Sequence, residues 1–294
     1  MQALTGKTAF ITGAAEGIGF HIARTFAQQG MNVMLADIDA AMLEQARQTL
    51  KDEGHSVAAV VCDVAQRDAL EAAAKATLER FGKVHVLVNN AGVSVAGPQD
   101  RISENNWRWI IDVNLMGVVY GAQVFVPLIK EHGEGGHVIN VASVAGTLGM
   151  PFAGPYCATK AAVVSLSESW QGELKSAGIG VSVLCPAFAK SRIYCSERNR
   201  QAEYGGVPSL NAQTNPRTLE AAAKAKAAVT NGIETYIVAD RLLEAVLHNE
   251  LYVFTHPHYR PVVEGRSQQL SLAFDSAEAS PTLKNVAAGE ITSL

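Results

Sequence analysis

The chain has 294 residues, 48% of them hydrophobic, and a net charge of −4, which is ample for a packed core within one large α/β domain. Its basic residues are scattered, so no block is offered to nucleic acid or to an anionic membrane. The four cysteines (Cys62, Cys157, Cys185, Cys195) show neither C-x-x-C nor Cys/His spacing, so no metal site and no disulfide framework is indicated.

No signal peptide precedes the first strand, and no uncharged apolar run reaches the ~18 residues of a membrane span. A soluble, cytoplasmic protein is expected. Lys7 to Thr12 reads as a short buried strand, followed at once by Thr12-Gly13-Ala-Ala-Glu16-Gly17-Ile18-Gly19. Phe20 to Gln29 has helical spacing and is closed by Gly30. Asn32 to Ala36 is a second apolar strand, ending in Asp37-Ile38. A glycine-rich turn thus joins a strand to a helix and is followed by an acid at the next strand's end. Glycines let the backbone approach a pyrophosphate, and a helix N-terminus supplies N–H groups and a positive dipole. The acid can accept hydrogen bonds from a ribose. Dinucleotide binding is the reading of this unit.

The alternation continues. Asp39 caps a helix to Glu53, Ser56 to Cys62 is a strand ending in Asp63-Val64, and Gln66 to Phe81 is a helix stopped by Gly82. Val84 to Val88 leads into Asn89-Asn90-Ala91-Gly92. Ser103 caps a long helix to Lys130 with Asn114 inside it, and Gly136 to Val141 is the fifth strand. Tyr156 to Ala177 is the next helix and Gly180 to Cys185 the sixth strand. Strict alternation with apolar strands means a parallel sheet covered on both faces. Right-handed crossovers make it a doubly wound, Rossmann-type α/β sheet.

Ser143 lies just beyond the fifth strand, and Tyr156 and Lys160 are four apart on one helix face. An unperturbed tyrosine, with a pKa of about 10, is too weakly acidic to serve as a base at neutral pH. An ammonium ~4 Å away favours the phenolate by ~4 kcal/mol at an effective dielectric of ~20. The expectation is a tyrosine pKa lowered by Lys160, making Tyr156 a general base for an alcohol O–H.

After the sixth strand come Pro186-Ala187-Phe188-Ala189-Lys190-Ser191 and a long segment, 192–234, read as a lid at the ligand edge. Arg217 to Val229 can form a helix there, Gly205-Gly206 a hinge, and Ile193, Tyr194, Tyr204 and Leu210 an apolar lining. Glu234 to Asn249 is a helix, Leu251 to Phe254 the last strand, and Val262 to Phe274 a final helix. The domain is expected to span 1–274, with 275–294 a polar tail. His256 and His258 lack a third ligand and read as turn residues, not metal ligands.

Taken together, T-G-x-x-x-G-I-G at Thr12 to Gly19, Asp37, Asp63-Val64, N-N-A-G at Asn89 to Gly92, Asn114, Ser143 and Y-x-x-x-K at Tyr156 to Lys160 resemble the short-chain dehydrogenase/reductase family. The likeness covers about residues 4 to 190. It implies a seven-stranded sheet and nicotinamide-dependent oxidoreduction. It also implies a tetrad of Asn114, Ser143, Tyr156 and Lys160, with Asn114 helping to hold a relay water. The implied cofactor contacts are Gly13, Glu16, Gly17, Ile18, Gly19, Asp37, Ile38, Asp63, Val64, Asn90, Ala91, Gly92, Tyr156, Lys160, Pro186, Ala189 and Ser191. One departure is Ala187, where the family usually has glycine. K-S-R-I at Lys190 to Ile193 and H-N-E-L-Y-V at His248 to Val253 resemble the Cα-dehydrogenases of bacterial lignin β-aryl-ether breakdown, which oxidise a benzylic alcohol.

The leading reading is therefore an NAD-dependent dehydrogenase acting on a small secondary alcohol or ketone. Asp37 repels the 2′-phosphate of NADP, and Glu16 adds a second acid nearby. A Rossmann module that binds dinucleotide without turnover is the alternative; it would tolerate loss of Tyr156 or Lys160, and both are present. Apolar residues on more than one helix face (Val118, Val119, Val163, Val164, Leu166) suggest a homo-oligomer. The family likeness implies a homodimer or homotetramer.

Overall fold

A computed structural model describes residues 3–205, 216–284 and 286. Seven parallel strands form one sheet in the order β3-β2-β1-β4-β5-β6-β7. They are β1 (Thr8–Thr12), β2 (Asn32–Asp37), β3 (Val57–Val61), β4 (Val86–Asn89), β5 (Gly136–Val141), β6 (Ile179–Cys185) and β7 (Tyr252–Phe254). Every residue of β1, β4 and β5 is buried, which is why these runs are mainly apolar rather than alternating, with Asn89, His137 and Asn140 among the buried polar exceptions. β1 pairs with β2 on one side and β4 on the other. Strand order reverses there, and such switch points open a crevice at the strands' carboxyl ends.

The helices are α1 (Gly17–Gln28), α2 (Ala40–Asp52), α3 (Arg67–Phe81), α4 (Glu104–Ile111), α5 (Gly117–Glu131), α6 (Gly154–Leu174), α7 (Pro216–Thr230), α8 (Thr235–His248) and α9 (Arg260–Glu278). The Asp39 side chain accepts from Met42 N at 3.1 Å and that of Ser103 from Asn106 N at 3.2 Å, so both caps form as the sequence predicts. One core, with Ile22, Phe26, Leu43 and Leu242, lies on the face covered by α1, α2 and α8. A second, with Phe10, Leu70, Trp109 and Phe125, lies under α3, α4 and α5, and a third, with Val118, Val163 and Val183, lies between α5, α6 and β6.

The stretch read as one helix from Ser103 to Lys130 is interrupted. Asp112–Met116 is a π-helical turn between α4 and α5. An 18-residue window within Glu104–Glu131 is apolar enough to cross a membrane, but half of that window is buried inside the protein. The stretch is a core helix. Val118, Val163 and Val164 also turn inward, at 4%, 0% and 8% exposure. They stabilise this chain's own core, and the surface argument for association loses them.

The chain divides into two compact units, Met1–Thr255 and His256–Leu294. The second contains α9, which extends beyond the predicted Val262–Phe274 at both ends and buries none of its residues. Residues 285 and 287–294 of the expected tail lie outside the described residues, as do Gly206 and Leu210.

Candidate active site

The carboxyl ends of β1, β2, β4, β5 and β6 border an open cleft. Every predicted site residue except Gly19 and Asn114 lines it. Gly13 adopts φ +62, and a Cβ there would stand 2.8 Å from both Ala91 Cα and Asn90 Nδ2. A Cβ on Gly19 would lie 2.2 Å from the Gly13 carbonyl oxygen, so Gly19 serves the close approach of α1 to the turn rather than the cleft surface. No side chain caps α1, which leaves its first N–H groups available to an anion. Asn90 Nδ2 donates to Thr12 O and Gly13 O, both at 2.9 Å. Its amide holds the glycine turn in shape.

Asp37 is 9% exposed. Its Oδ1 accepts from Asp39 N at 3.1 Å and its Oδ2 from Ala15 N at 3.0 Å. Burial raises its carboxyl above the usual range, and these backbone donors pull it back. Asp63 Oδ1 accepts from Ala65 N at 3.0 Å and Oδ2 from Gln201 Nε2 at 2.8 Å.

The Ser143 hydroxyl donates to Pro186 O at 3.2 Å and accepts from Ala145 N at 3.1 Å. Lys160 is 4% exposed. Its ammonium donates to Val141 O at 2.7 Å and stands 5.7 Å from the centre of the Tyr156 ring. Burial lowers the Lys160 pKa to about 8. Tyr156 keeps part of its surface open to the cleft, yet protein crowds its hydroxyl. Burial pushes the phenol up to about 12, and a hydrogen bond with Ser143 pulls it back. This corrects the expectation that Lys160 lowers the phenol. At this geometry desolvation wins, because the ammonium is turned to the Val141 carbonyl.

Asn114 sits inside the π-helical turn, fully buried, and does not line the cleft. Its Oδ1 accepts from Val93 N at 2.8 Å, and its Nδ2 donates to Val93 O at 2.9 Å and Thr159 Oγ1 at 3.3 Å. A Cβ on Gly92 would lie 3.4 Å from Asn114 Oδ1 and 3.5 Å from Lys160 Nζ. Asn114 and Lys160 therefore approach the same small glycine.

Ala187 avoids positive φ; among the described non-glycine residues only Phe152 and Asn249 adopt it. Alanine for glycine is accommodated there without backbone strain. Ser191 lies against the glycine turn, its Cβ 3.5 Å from the position of a Cβ on Gly17.

Sequence reasoning missed what the segment after β6 does. Ile233 N donates to Phe188 O at 3.1 Å and Lys190 N to Ile233 O at 2.9 Å, tying its two ends together. Of its expected apolar lining Ile193 borders the cleft, and Val229 of α7 does so too. Tyr204 does not. It is 8% exposed in the core, with its hydroxyl donating to Asp112 Oδ2 at 2.9 Å. Trp109 Nε1 donates to Gln201 Oε1 at 2.9 Å. Glu16, read as a free acid, is held by Arg192 and Arg198 of this segment. Its charge is neutralised, so it adds nothing to the repulsion attributed to Asp37.

Cys62 and Cys185 are core residues, 3% and 0% exposed, with thiols pushed up to about 12 by burial. At the opposite, amino end of the strands, His85, His132 and Glu134 are close enough to hold a metal ion. Their ring nitrogens are already engaged. His85 meets Thr8 N at 3.1 Å and Glu134 Oε2 at 3.0 Å, and His132 meets Val84 O at 2.8 Å and Glu134 N at 3.1 Å.

Residues 7–202 match the family model described as short chain dehydrogenase. The chain belongs to the short-chain dehydrogenase family. It is 34% identical over 282 residues to the C alpha-dehydrogenase of a Sphingobium species, covering 96% of this chain and 90% of that one. It is 33% identical over 272 residues to the CLA biosynthesis dehydrogenase/reductase of Lactiplantibacillus plantarum, covering 92% and 95%. A short-chain dehydrogenase/reductase of Burkholderia phymatum, solved in complex with NAD, superposes with a TM-score of 0.89 at 39% identity, covering 93% and 97%. As a short-chain dehydrogenase this chain is an oxidoreductase.

Proposed function

We propose that this short-chain dehydrogenase transfers a hydride between NAD and a small secondary alcohol or ketone. One observation carries the reading: Ser143, Tyr156 and Lys160 open onto the same cleft as the glycine turn and Asp37. The residues present fit a dinucleotide. The cradle at Gly13 has no room for a Cβ, the first N–H groups of α1 are uncapped, and Asp37, held by backbone donors, keeps acceptor capacity for a ribose hydroxyl. When bound, a nicotinamide supplies the hydride acceptor for oxidation and the donor for reduction.

The chain's own residues then handle the proton and the orientation. Tyr156 takes the alcohol proton at its phenol oxygen, or returns it in reduction. Ser143, fixed by Pro186 O and Ala145 N, holds the same substrate oxygen. Lys160 supplies a cation beneath the phenol, and Asn114 fixes the loop at Val93 beside it. Segment 192–234 covers the substrate and sets its size, supported by the paired base at Phe188, Lys190 and Ile233. A benzylic alcohol is the substrate class favoured by the likeness to the Sphingobium enzyme along almost the whole chain. A cytoplasmic homodimer or homotetramer completes the proposal, with light scattering as its check.

The test is NADH absorbance with purified protein and a panel of aliphatic and benzylic secondary alcohols, repeated with NADP. Turnover of benzylic alcohols with NAD is the expected outcome. NADH binding without turnover of any alcohol or ketone would favour the non-catalytic dinucleotide binder instead.

A further inference from the structure

Glu16 lies in the glycine turn, one residue from Ala15, whose N–H donates to Asp37 Oδ2 at 3.0 Å. It is thus next to the carboxylate that faces the ribose. Its Oε2 accepts from Arg192 Nε and its Oε1 from Arg198 Nη2. The three side chains line the cleft together with Asp37 and Ile38. Around Glu16 itself one carboxylate meets two guanidiniums, and only with Asp37 counted do the acids equal the arginines at this rim. The two arginines are held differently. Arg198 Nη1 also donates to Arg192 O at 3.1 Å and Cys195 O at 3.0 Å. Among the described residues Arg192 makes its side-chain bond to Glu16 through Nε alone, and its side chain is 42% exposed. Arg198 is anchored, and Arg192 has donors to spare.

Guanidinium is the side chain best matched to phosphate, through two parallel N–H donors. The chain therefore carries cations suited to a 2′-phosphate beside an acid that repels one. We propose that Glu16 is a masking counter-ion, which holds Arg192 and Arg198 away from a 2′-phosphate and so sets, with Asp37, the choice between unphosphorylated and 2′-phosphorylated dinucleotides. The proposal rests on the dinucleotide reading of the cleft. It differs from simple repulsion in one respect: removing Glu16 brings NADPH in only while Arg192 is present.

Binding of NADH and NADPH by titration calorimetry tests this without reference to turnover. The proteins are the intact wild type, Glu16→Gln, Arg192→Gln and the double variant. Wild type is expected to bind NADH more tightly; if it prefers NADPH, or binds neither, the NAD reading itself fails, whatever the variants do. Glu16→Gln is expected to shift the NADPH/NADH affinity ratio toward NADPH by fivefold or more, and the double variant to lose most of that shift. A shift below fivefold in Glu16→Gln overturns the proposal. A double variant that keeps the full shift also overturns it, since plain loss of a negative charge would then suffice. If thermal melting shows that Glu16→Gln does not fold, Glu16→Ser is put through the same comparison.

Discussion

Lys160 holds its ammonium in the interior at a cost. Burial brings its pKa to about 8 from an ordinary 10.5, which corresponds to up to about 3 kcal/mol against the charged form at neutral pH. The sign follows from proton counts. Between pH 8 and 10.5 the unfolded chain binds the proton that the folded chain has lost, so this contribution to stability rises with pH across that window. Lys160→Met is therefore expected to stabilise the fold by up to about 3 kcal/mol at pH 7, with the gain fading toward pH 10.5, while activity collapses. Denaturant unfolding at pH 7 and pH 10 checks it; an equal gain at both would remove the argument. Tyr156 has the opposite shift, up to about 12, so phenolate is scarce near neutrality. Alcohol oxidation should climb steadily from pH 7 to 10, whereas ketone reduction, which uses the protonated phenol, should not. Tyr156→Phe should lose roughly 10²–10⁴-fold in turnover and keep NADH affinity within a few-fold, measured by steady-state kinetics beside calorimetry. A variant still turning over within a few-fold of wild type would remove Tyr156 from the mechanism.

The π-helical turn Asp112–Met116 is where the elements depart most from what the sequence suggests. Apolar spacing through Ser103–Lys130 is helical on both sides, and one extra residue in a turn leaves no periodic signature. Such bulges gather at functional sites, and this one carries Asn114. Thr159 ties it to α6, since its hydroxyl accepts from Asn114 Nδ2 at 3.3 Å and donates to Tyr156 O at 3.0 Å. Thr159→Val should cost about 1 kcal/mol of stability and lower kcat a few-fold with NADH affinity unchanged; thermal melts and kinetics with saturating cofactor would show it. By contrast the strands were readable, because a strand covered on both faces is a mainly apolar run. The motifs at their carboxyl ends were readable because Asp37, Asn90 and Ser143 end apolar runs with polar side chains at the edge where such sheets bind ligands. What remained hidden is contact across long separations. Arg192 and Arg198 reach Glu16 over 176 and 182 residues, and Gln201 reaches Asp63 over 138. No local pattern marks such partners: 192–204 reads as part of a lid with apolar lining, and nothing in it says what its arginines meet.

At the scale of the molecule, the first helix and the last helix of the larger unit share one core. Ile22 and Phe26 of α1 cluster with Val238 and Leu242 of α8, and Thr25 Oγ1 donates to Asp240 Oδ1 at 3.2 Å. Leu242 is 0% exposed, so Leu242→Ala should destabilise the protein by about 2–5 kcal/mol, with a lowered denaturation midpoint and unchanged denaturant slope. The same pairing sets a schedule for a chain emerging from a ribosome. From Gln28 to Thr235 lie about 207 positions, on the order of 10–40 s of synthesis at ordinary elongation rates. Throughout that interval α1 has its backbone and its β1 and β2 neighbours, but not the helix that covers Ile22 and Phe26. That flank of the nascent chain thus waits for its cover until the larger unit is almost complete, and it is there that a holding chaperone would find its surface.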